Sequence, residues 1–119
     1  MTQVHNRIKT ALEEAAEATY RTFMEGLFRQ LPAAPILGVR AQTLHRLAKA
    51  LAADAPARAA FMADLPHASH EENLIHAYLI NAGQEAATTL AEVEAFLPEV
   101  DNWAVCYALR PPVLAREPE

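Results

Sequence analysis

The sequence predicts an all-α domain of six or seven helices that pack as antiparallel pairs joined by short loops. Alanine and leucine dominate a composition that is 52% hydrophobic with only three glycines, and both residues favour helix. Apolar residues recur at helical intervals along most of the chain, and no segment alternates apolar and polar residues long enough to predict a β-strand. At 119 residues, the chain is large enough for one domain with its own core.

The first region, residues 3–31, contains no proline and predicts either two helices or one long bent helix. A first apolar stripe consists of Val4, Ile8, Ala11, Leu12 and Ala15. A second stripe consists of Tyr20, Phe23, Met24, Leu27, Phe28 and Leu31. Pro32 and Pro35 then bracket a loop, and Gly38 follows at a position that needs a permissive backbone.

Two helices are predicted in the middle of the chain. The first spans about residues 42–53 and buries Leu44, Leu47, Ala48 and Leu51. The second spans about residues 56–64, with Pro56 in its first turn and Pro66 as its stop. Its apolar positions are Phe61 and Leu65.

A capping box predicts the start of the next helix, because Ser69 stands three residues before Glu72. This helix is expected to run to about Ala82, where Gly83 closes it. Its predicted buried positions are Leu74, Ala77, Tyr78 and Ile80.

Two further helices complete the prediction. One covers residues 85–97 and turns inward Ala86, Leu90, Val93, Phe96 and Leu97. Asp101 is predicted to be the N-cap of the last helix, which runs to about Leu109. Residues 1–110 therefore form the domain, and residues 111–119 are expected to be a disordered, proline-rich charged tail.

The composition also limits where the chain functions. No run approaches the ~20 apolar residues that span a bilayer, so no membrane association is expected. The single cysteine, Cys106, cannot form an internal disulfide, and its apolar neighbours predict a buried, inert thiol. We therefore expect a cytoplasmic protein.

The net charge of −5 counts against an obvious nucleic-acid role, because DNA-binding proteins usually present a basic surface. It is nevertheless compatible with a local basic patch. The one cationic cluster consists of Arg40, His45, Arg46 and Lys49. Its two interpretations are a patch that contacts phosphates and a solvated helix face on which Arg40 pairs with Glu71 or Glu72.

Four residues invite a metal-site interpretation: His67, His70, Glu71 and His76. The spacing argues against it, because six residues separate His70 from His76 and the H-E-x-x-H motif requires four. Six residues rotate a helix by about 240°, which directs the two side chains apart. We predict no metal and no other cofactor, and we expect these side chains to form hydrogen bonds at the helix start.

Several blocks of sequence occur in a characteristic order. They are Gly38-Val39-Arg40, Leu44-His45-Arg46-Leu47-Ala48-Lys49, Leu65-Pro66-His67, His70-Glu71-Glu72 and Asp101-Asn102-Trp103-Ala104-Val105-Cys106-Tyr107. Together they resemble the DNA alkylation repair enzyme family, the HEAT-like repeat alkylpurine DNA glycosylases. That family's pattern reads roughly G-V-R, L-R-x-x-A-K, E-E and D-N-W-x-V-C-D, and its closing aspartate is Tyr107 here.

The resemblance implies a short HEAT-like superhelix with DNA as its partner. Trp103 and Tyr107 share one helix face and would line the DNA groove. The indole would contact an alkylated purine, whose positive charge is attracted to the ring face. The family's aspartate would stabilise the sugar cation that forms as the glycosidic bond breaks. Tyr107 provides no such anion, because a phenol is neutral near pH 7.

The resemblance covers nearly all of this chain but only the N-terminal half of a family member, so groove residues of later repeats have no counterpart. The last helix would then leave apolar surface open, and a homodimer that joins two such ends would cover it. Three functions remain open. They are a glycosylase with weak or no catalysis alone, a non-catalytic helical-repeat module that binds DNA or protein, and a degraded gene product without activity.

Overall fold

A computed structural model describes residues 3–116 of the chain. Within this part of the chain there are eight α-helices, a 3-10 turn at Leu97–Glu99 and no β-strand, which confirms the all-α prediction. The helices are α1 (Gln3–Ala15), α2 (Ala18–Glu25), α3 (Ala41–Ala52), α4 (Ala55–Ala63), α5 (His70–Asn81), α6 (Ala86–Phe96), α7 (Trp103–Ala108) and α8 (Pro112–Arg116). No helix among them is both long and apolar enough to cross a bilayer.

Helix α5 lies at the centre of the fold, in contact with α3, α4, α6 and α7. Two apolar cores meet it on different sides. The first contains Ile8, Leu12, Val39, Leu44, Ala48, Leu51, Ala57, Phe61, Ile75 and Leu79. The second contains Ala77, Ile80, Phe96 and Val105. Helices α1 and α3 to α7 thus bury apolar side chains against their neighbours, which is consistent with a helical-repeat architecture.

Local capping explains where α4 and α5 begin. Asp54 accepts a first-turn N–H of α4 at 3.2 Å, one residue before that helix starts. Ser69 accepts the N–H of Glu72 at 3.2 Å and donates its hydroxyl to the Glu72 carboxylate at 3.3 Å. Ser69 is therefore confirmed as the N-cap, and Glu72 reaches back as predicted, although it accepts from the Ser69 hydroxyl and the Ala68 N–H and not from the Ser69 N–H. The predicted bounds of α3, α4 and α5 agree with the structure to within one residue.

The second apolar stripe predicted for the N-terminal region is wrong. Helix α2 ends at Glu25 and has no buried side chain. Three members of the stripe are exposed: Phe23, Leu27 and Leu31. Helical spacing has no meaning beyond Gly26, because the chain leaves the helix there. The buried apolar side chains between α2 and α3 are instead those of Ile36 and Val39.

The inward face of α6 also differs from the prediction. Phe96 is buried as predicted, but Leu90 and Leu97 are exposed, and Thr89 is buried although it was not predicted to be. Gly83 explains this orientation, because a Cβ at that position would overlap the Thr89 hydroxyl. The absence of a side chain at Gly83 lets α6 approach the end of α5 through Thr89.

Asn102, rather than the predicted Asp101, is the N-cap of α7. The Asn102 side-chain oxygen accepts the N–H of Val105 at 3.0 Å. The Asp101 carboxylate instead accepts the N–H of Ala33 at 2.8 Å and ties the preceding loop to the start of α7. Two adjacent residues that are both good N-caps could not be separated by local sequence.

The proline-rich segment assigned to a tail contains a further helix. Pro112–Arg116 form α8, which packs against α6 and buries Val113. Proline suits the first position of a helix, where no intrahelical N–H bond is needed, so Pro112 begins a helix there. Residues 117–119 of the predicted tail lie outside the described residues.

Candidate functional site

A concave surface of about 390 Å³ lies where α2, α3, α5 and α7 meet. Its rings are those of Tyr20, His70, Tyr78, Trp103 and Tyr107. Its aliphatic side chains include Met24, Val39, Leu44 and Leu74. We refer to this surface as the aromatic cavity. A mostly apolar lining with a few polar groups is typical of sites that bind flat organic ligands.

Helix α7 places two of these rings at the edge of the cavity. Val105 is fully buried in the second core and holds the helix against α5. Trp103 and Tyr107, two residues to either side, therefore face away from that core. Their side chains are 48% and 65% exposed, and their ring centroids lie 6.4 Å apart. Both predicted groove residues thus line one surface.

Phe28 connects the exposed indole to a buried imidazole. Its ring centroid lies 5.4 Å from that of Trp103. On its other side, Phe28 stands edge-on to His70, with centroids 5.6 Å apart. The position of Trp103 therefore depends on a residue beyond the end of α2, which helical spacing alone did not predict.

Two of the four predicted cationic residues contact rings of the aromatic cavity. The Arg40 guanidinium lies 4.1 Å from the ring centroid of Tyr20 and pairs with Glu17 at 3.3 Å. His45 stacks on Tyr78, with centroids 3.9 Å apart. The prediction that Arg40 pairs with Glu71 or Glu72 is wrong, since its carboxylate partner is Glu17.

The other two, Arg46 and Lys49, lie on the outer side of α3. The buried positions of this helix are Leu44, Ala48 and Leu51. Both cationic side chains are exposed, and they form no hydrogen bond or ion pair with the other residues described. They are therefore free to contact a phosphate.

Glu71 holds the loop that enters α3, and this role was missed in the sequence. Its carboxylate accepts the backbone N–H groups of Leu37 at 3.0 Å, Gly38 at 2.9 Å and Val39 at 3.3 Å. The side chain is buried, which strengthens these charge-assisted hydrogen bonds. Although Glu71 lines the cavity, both of its oxygens are already engaged.

Gly38 has the permissive backbone that the sequence predicted. Its φ of 91° lies in the left-handed region, which side chains disfavour. A Cβ there would also come within 2.5 Å of the Glu17 carbonyl oxygen. This conformation presents the loop N–H groups to Glu71.

His70 is the polar group inside the aromatic cavity without a partner. Its side chain is 1% exposed, and neither ring nitrogen has a hydrogen-bond partner among the described residues. Burial lowers the pKa of His70, although the charges of Glu71 and Asp101 oppose this. The imidazole is therefore neutral near pH 7.

A pair of buried histidines, His67 and His76, lies outside the cavity. His67 Nε2 and His76 Nδ1 are 2.8 Å apart, and Phe61 and Phe96 stack on the two rings with centroids at 4.4 and 4.1 Å. Burial lowers the pKa of His67 to about 4 and that of His76 to about 3. No group of three His, Cys, Asp or Glu residues within the described part of the chain is arranged to hold a metal ion.

The predictions for two other residues have different outcomes. Cys106 is exposed on α7, so the prediction that it is buried is wrong. Its neighbour Val105 occupies the core position of that turn instead. Glu72 keeps its capping role, and burial raises the pKa of its carboxyl, partly offset by the hydrogen bond from the Ala68 N–H.

The cavity combines aromatic rings with one adjacent cation and one carboxylate. Its rings offer flat surfaces for a planar ligand, and the adjacent Arg40 provides positive charge. Glu71 is the only carboxylate on the described wall, and three backbone groups occupy it.

A family model described as DNA alkylation repair enzyme matches residues 8–116. No curated protein and no solved structure matches the chain.

Proposed function

The chain belongs to the DNA alkylation repair enzyme family, and from this membership we propose that it binds DNA and holds an alkylated base against Trp103 and Tyr107. The proposal uses the aromatic cavity as the base-contacting surface of a short HEAT-like superhelix. It assigns the protein to the cytoplasm, and it assigns recognition rather than base excision to this chain.

The observation that carries the proposal is the meeting of aromatic rings and cationic groups at one surface. Trp103 and Tyr107 line the cavity, and Arg40 and His45 stack on two other rings of its wall. Rings provide stacking surfaces for bases, each worth about 1–3 kcal/mol in single-stranded complexes. An alkylated purine is positively charged and gains further attraction to the indole face.

Phosphate contacts are assigned to Arg46 and Lys49, which are exposed on α3. Only a few cationic residues are involved and the net charge is −5, so the electrostatic contribution to binding should be small and its salt dependence shallow. Affinity should then depend on the base in the cavity more than on general attraction to the phosphate backbone.

Catalysis is not part of the proposal, because the sugar cation has no partner in this cavity. Cleavage of an N-glycosidic bond requires stabilisation of positive charge at the sugar. Tyr107 carries a phenol at the family's aspartate position, and the Glu71 oxygens are occupied by the loop. Tyr107→Asp should therefore gain base release if the rest of the groove is competent.

The test measures anisotropy of a fluorescent DNA duplex with one methylated purine against the same duplex unmodified. We expect preference for the methylated duplex, and at least tenfold weaker binding by Trp103→Ala. Arg46→Gln/Lys49→Gln should weaken binding to both duplexes, whereas the matched change Arg7→Gln/Lys9→Gln on α1 should not. Equal binding of both duplexes by every variant would contradict the proposal.

Base release is measured in parallel on alkylated DNA. The unmodified chain should release no methylated base, and Tyr107→Asp should release some. Release by the unmodified chain that disappears in Trp103→Ala would identify a glycosylase that works without the expected carboxylate, and would overturn the non-catalytic assignment.

A second candidate function is a protein-binding module, including a homodimer joined through the last helices. Exposed large apolar side chains favour a protein-binding module. They include Phe23, Leu27, Leu31 and Trp103. Light scattering over a wide concentration range tests the homodimer. A monodisperse monomer throughout would exclude it.

A further inference from the structure

An exposed ion pair between Glu17 and Arg40 lies beside the aromatic cavity. Arg40 Nη2 is 3.3 Å from Glu17 Oε1, and the two side chains are 59% and 49% exposed. The Arg40 guanidinium also lies 4.1 Å from the ring centroid of Tyr20, which is part of the cavity wall. The pair therefore borders the surface to which the proposed function assigns the alkylated base.

The backbone holds both members of this pair in place. The N–H of Glu17 donates to the carbonyl oxygen of Gly38 at 2.9 Å, which joins the start of α2 to the loop that enters α3. The carbonyl oxygen of Arg40 accepts the N–H of Leu44 in the first turn of α3 at 3.2 Å. Since the Tyr20 ring also supports the guanidinium, Arg40 is held in one position at the edge of the cavity.

The ion pair itself is weak. A guanidinium has five N–H donors, yet among the described residues Glu17 is the only hydrogen-bond partner of the Arg40 side chain. Arg58, by contrast, forms two contacts of 3.0 Å with the Glu92 carboxylate and a third with the Leu79 carbonyl oxygen. Because exposed single-contact pairs contribute little to stability, Arg40 can exchange its partner at small cost.

The Glu17 carboxylate marks a position for an anion. Glu17 is the N-cap residue of α2, where a side-chain oxygen often accepts an N–H of the first turn, but its side chain forms no such bond. The carboxylate contacts Arg40 instead. A phosphate also offers two oxygens to a guanidinium and commonly accepts two parallel hydrogen bonds from it. A phosphate could therefore take the place of this carboxylate with at least as many contacts.

We propose that Arg40 binds the DNA phosphate that flanks the base in the aromatic cavity, and that Glu17 occupies this phosphate position in the free chain. The inference rests on the proposed DNA binding and adds a phosphate contact and an internal competitor to it. DNA has to displace the Glu17 carboxylate from the guanidinium, so Glu17 lowers the affinity for DNA.

The experiment measures anisotropy of the methylated duplex with three variants. Glu17→Gln removes the competitor and should bind at least about threefold more tightly, whereas Arg40→Gln should bind at least about fivefold more weakly. The double variant should bind like Arg40→Gln, because Glu17 matters only while the guanidinium is present. The matched control is Glu25→Gln, which breaks the 3.1 Å pair with Arg21 on α2 and should change Kd by less than about twofold.

Two further measurements identify the phosphate. Arg40→Gln should make the slope of the logarithm of the binding constant against the logarithm of salt concentration shallower by about 0.9, the value for one phosphate contact. A series of duplexes then carries an uncharged methylphosphonate at one linkage near the methylated purine. One such linkage should weaken binding by the unmodified chain, and Arg40→Gln should remove that loss. A series without any linkage whose effect depends on Arg40 would overturn the proposal.

The outcomes separate this inference from the proposed function. If Glu17→Gln tightens binding equally with and without Arg40, Glu17 acts as a general negative charge and the inference fails. If Arg40→Gln binds the methylated duplex as tightly as the unmodified chain does, the inference fails and the proposed function stands. If no variant binds any duplex, both fail. Misfolding cannot imitate the expected result, because the gain in Glu17→Gln requires a folded chain, and circular dichroism verifies the fold of Arg40→Gln.

Discussion

On one side of α5, His76 forms a 2.8 Å contact with His67 and both rings are stacked on phenylalanines. On the other side, His70 has no hydrogen-bond partner and lines the aromatic cavity. Both sides bury neutral imidazoles, and α5 supplies one to each side, His70 and His76. The difference is that the fold itself satisfies the His67–His76 pair, whereas it leaves the polar atoms of His70 without a partner among the described residues.

The largest expected effect tests whether a buried polar side chain stabilises the fold because it has hydrogen-bond partners, and not because of the side of α5 on which it lies. Glu71 lies on the cavity side but accepts three backbone N–H groups, so we class it with the structural residues. Glu71→Ala should lower the free energy of unfolding by about 3 kcal/mol or more, since it leaves buried donors unpaired. Urea unfolding followed by circular dichroism measures this, with the exposed Glu94→Ala as the control. A loss equal to that of the control would break the comparison.

Acid should reveal the histidine pair. The pKa values of His67 and His76 are about 4 and about 3 in the folded chain, below the ordinary value near 6.5. Below pH 6.5, these two histidines become protonated in the unfolded chain but remain neutral in the folded chain. Stability should therefore fall as the pH drops from 6.5 toward 4, by up to about 1.4 kcal/mol per pH unit for each histidine.

Other titratable groups modify this slope, and His70, whose pKa burial also lowers, adds to it. Those that act on the pair are Asp64, His5 and Arg58. Glu72 has a raised pKa and opposes the acid effect, because its protonated form is favoured in the folded chain. Urea midpoints at several pH values measure the result. A flat profile between pH 6.5 and pH 4 would contradict the assignment.

A smaller effect concerns the contact between α5 and α6. Gly83→Ala should destabilise the fold by about 1–3 kcal/mol, because the new methyl group would overlap the Thr89 hydroxyl. Adding Thr89→Ala removes that hydroxyl and should recover part of the loss. Urea unfolding of the two single variants and the double variant measures this coupling. Fully additive losses would show that the close approach is unimportant.

The smallest effect is expected at the cavity mouth. Tyr107→Ala should change the free energy of unfolding by no more than about 0.5 kcal/mol, because the side chain is 65% exposed. Val105→Ala, on the opposite face of the same helix, should lose at least about 1 kcal/mol. Urea unfolding compares the two. Equal losses would mean that α7 is not divided into a structural face and a binding face.

The sequence predicted best the features that depend on neighbours along the chain. Ser69 and Glu72 act within one turn, so their capping box and the start of α5 could be identified directly. The stripe through Leu27 and Leu31 failed because helical spacing cannot show that α2 ends at Glu25. The orientation of α6 depended on a contact between Gly83 and Thr89, which spacing alone does not reveal.

The candidate site was predicted in part. Trp103 and Tyr107 lie four residues apart, and their shared face followed from helical geometry. The role of Glu71 could not be derived, because its partners lie more than thirty residues away in the chain. The available signals were Gly38, at a position that needs a permissive backbone, and the acidic residue Glu71 at the predicted start of a helix. The lack of partners for His70 depends on every element around it and requires the folded structure.

The hydrogen bonds from the N–H groups of residues 37–39 to Glu71 should also slow hydrogen exchange in this loop. Backbone amides in an irregular loop normally exchange rapidly with deuterium, because water reaches them through small local motions. These three amides donate to a buried carboxylate on the central helix. They should exchange as slowly as the amides within α5, so that one non-helical segment shares the protection of the core.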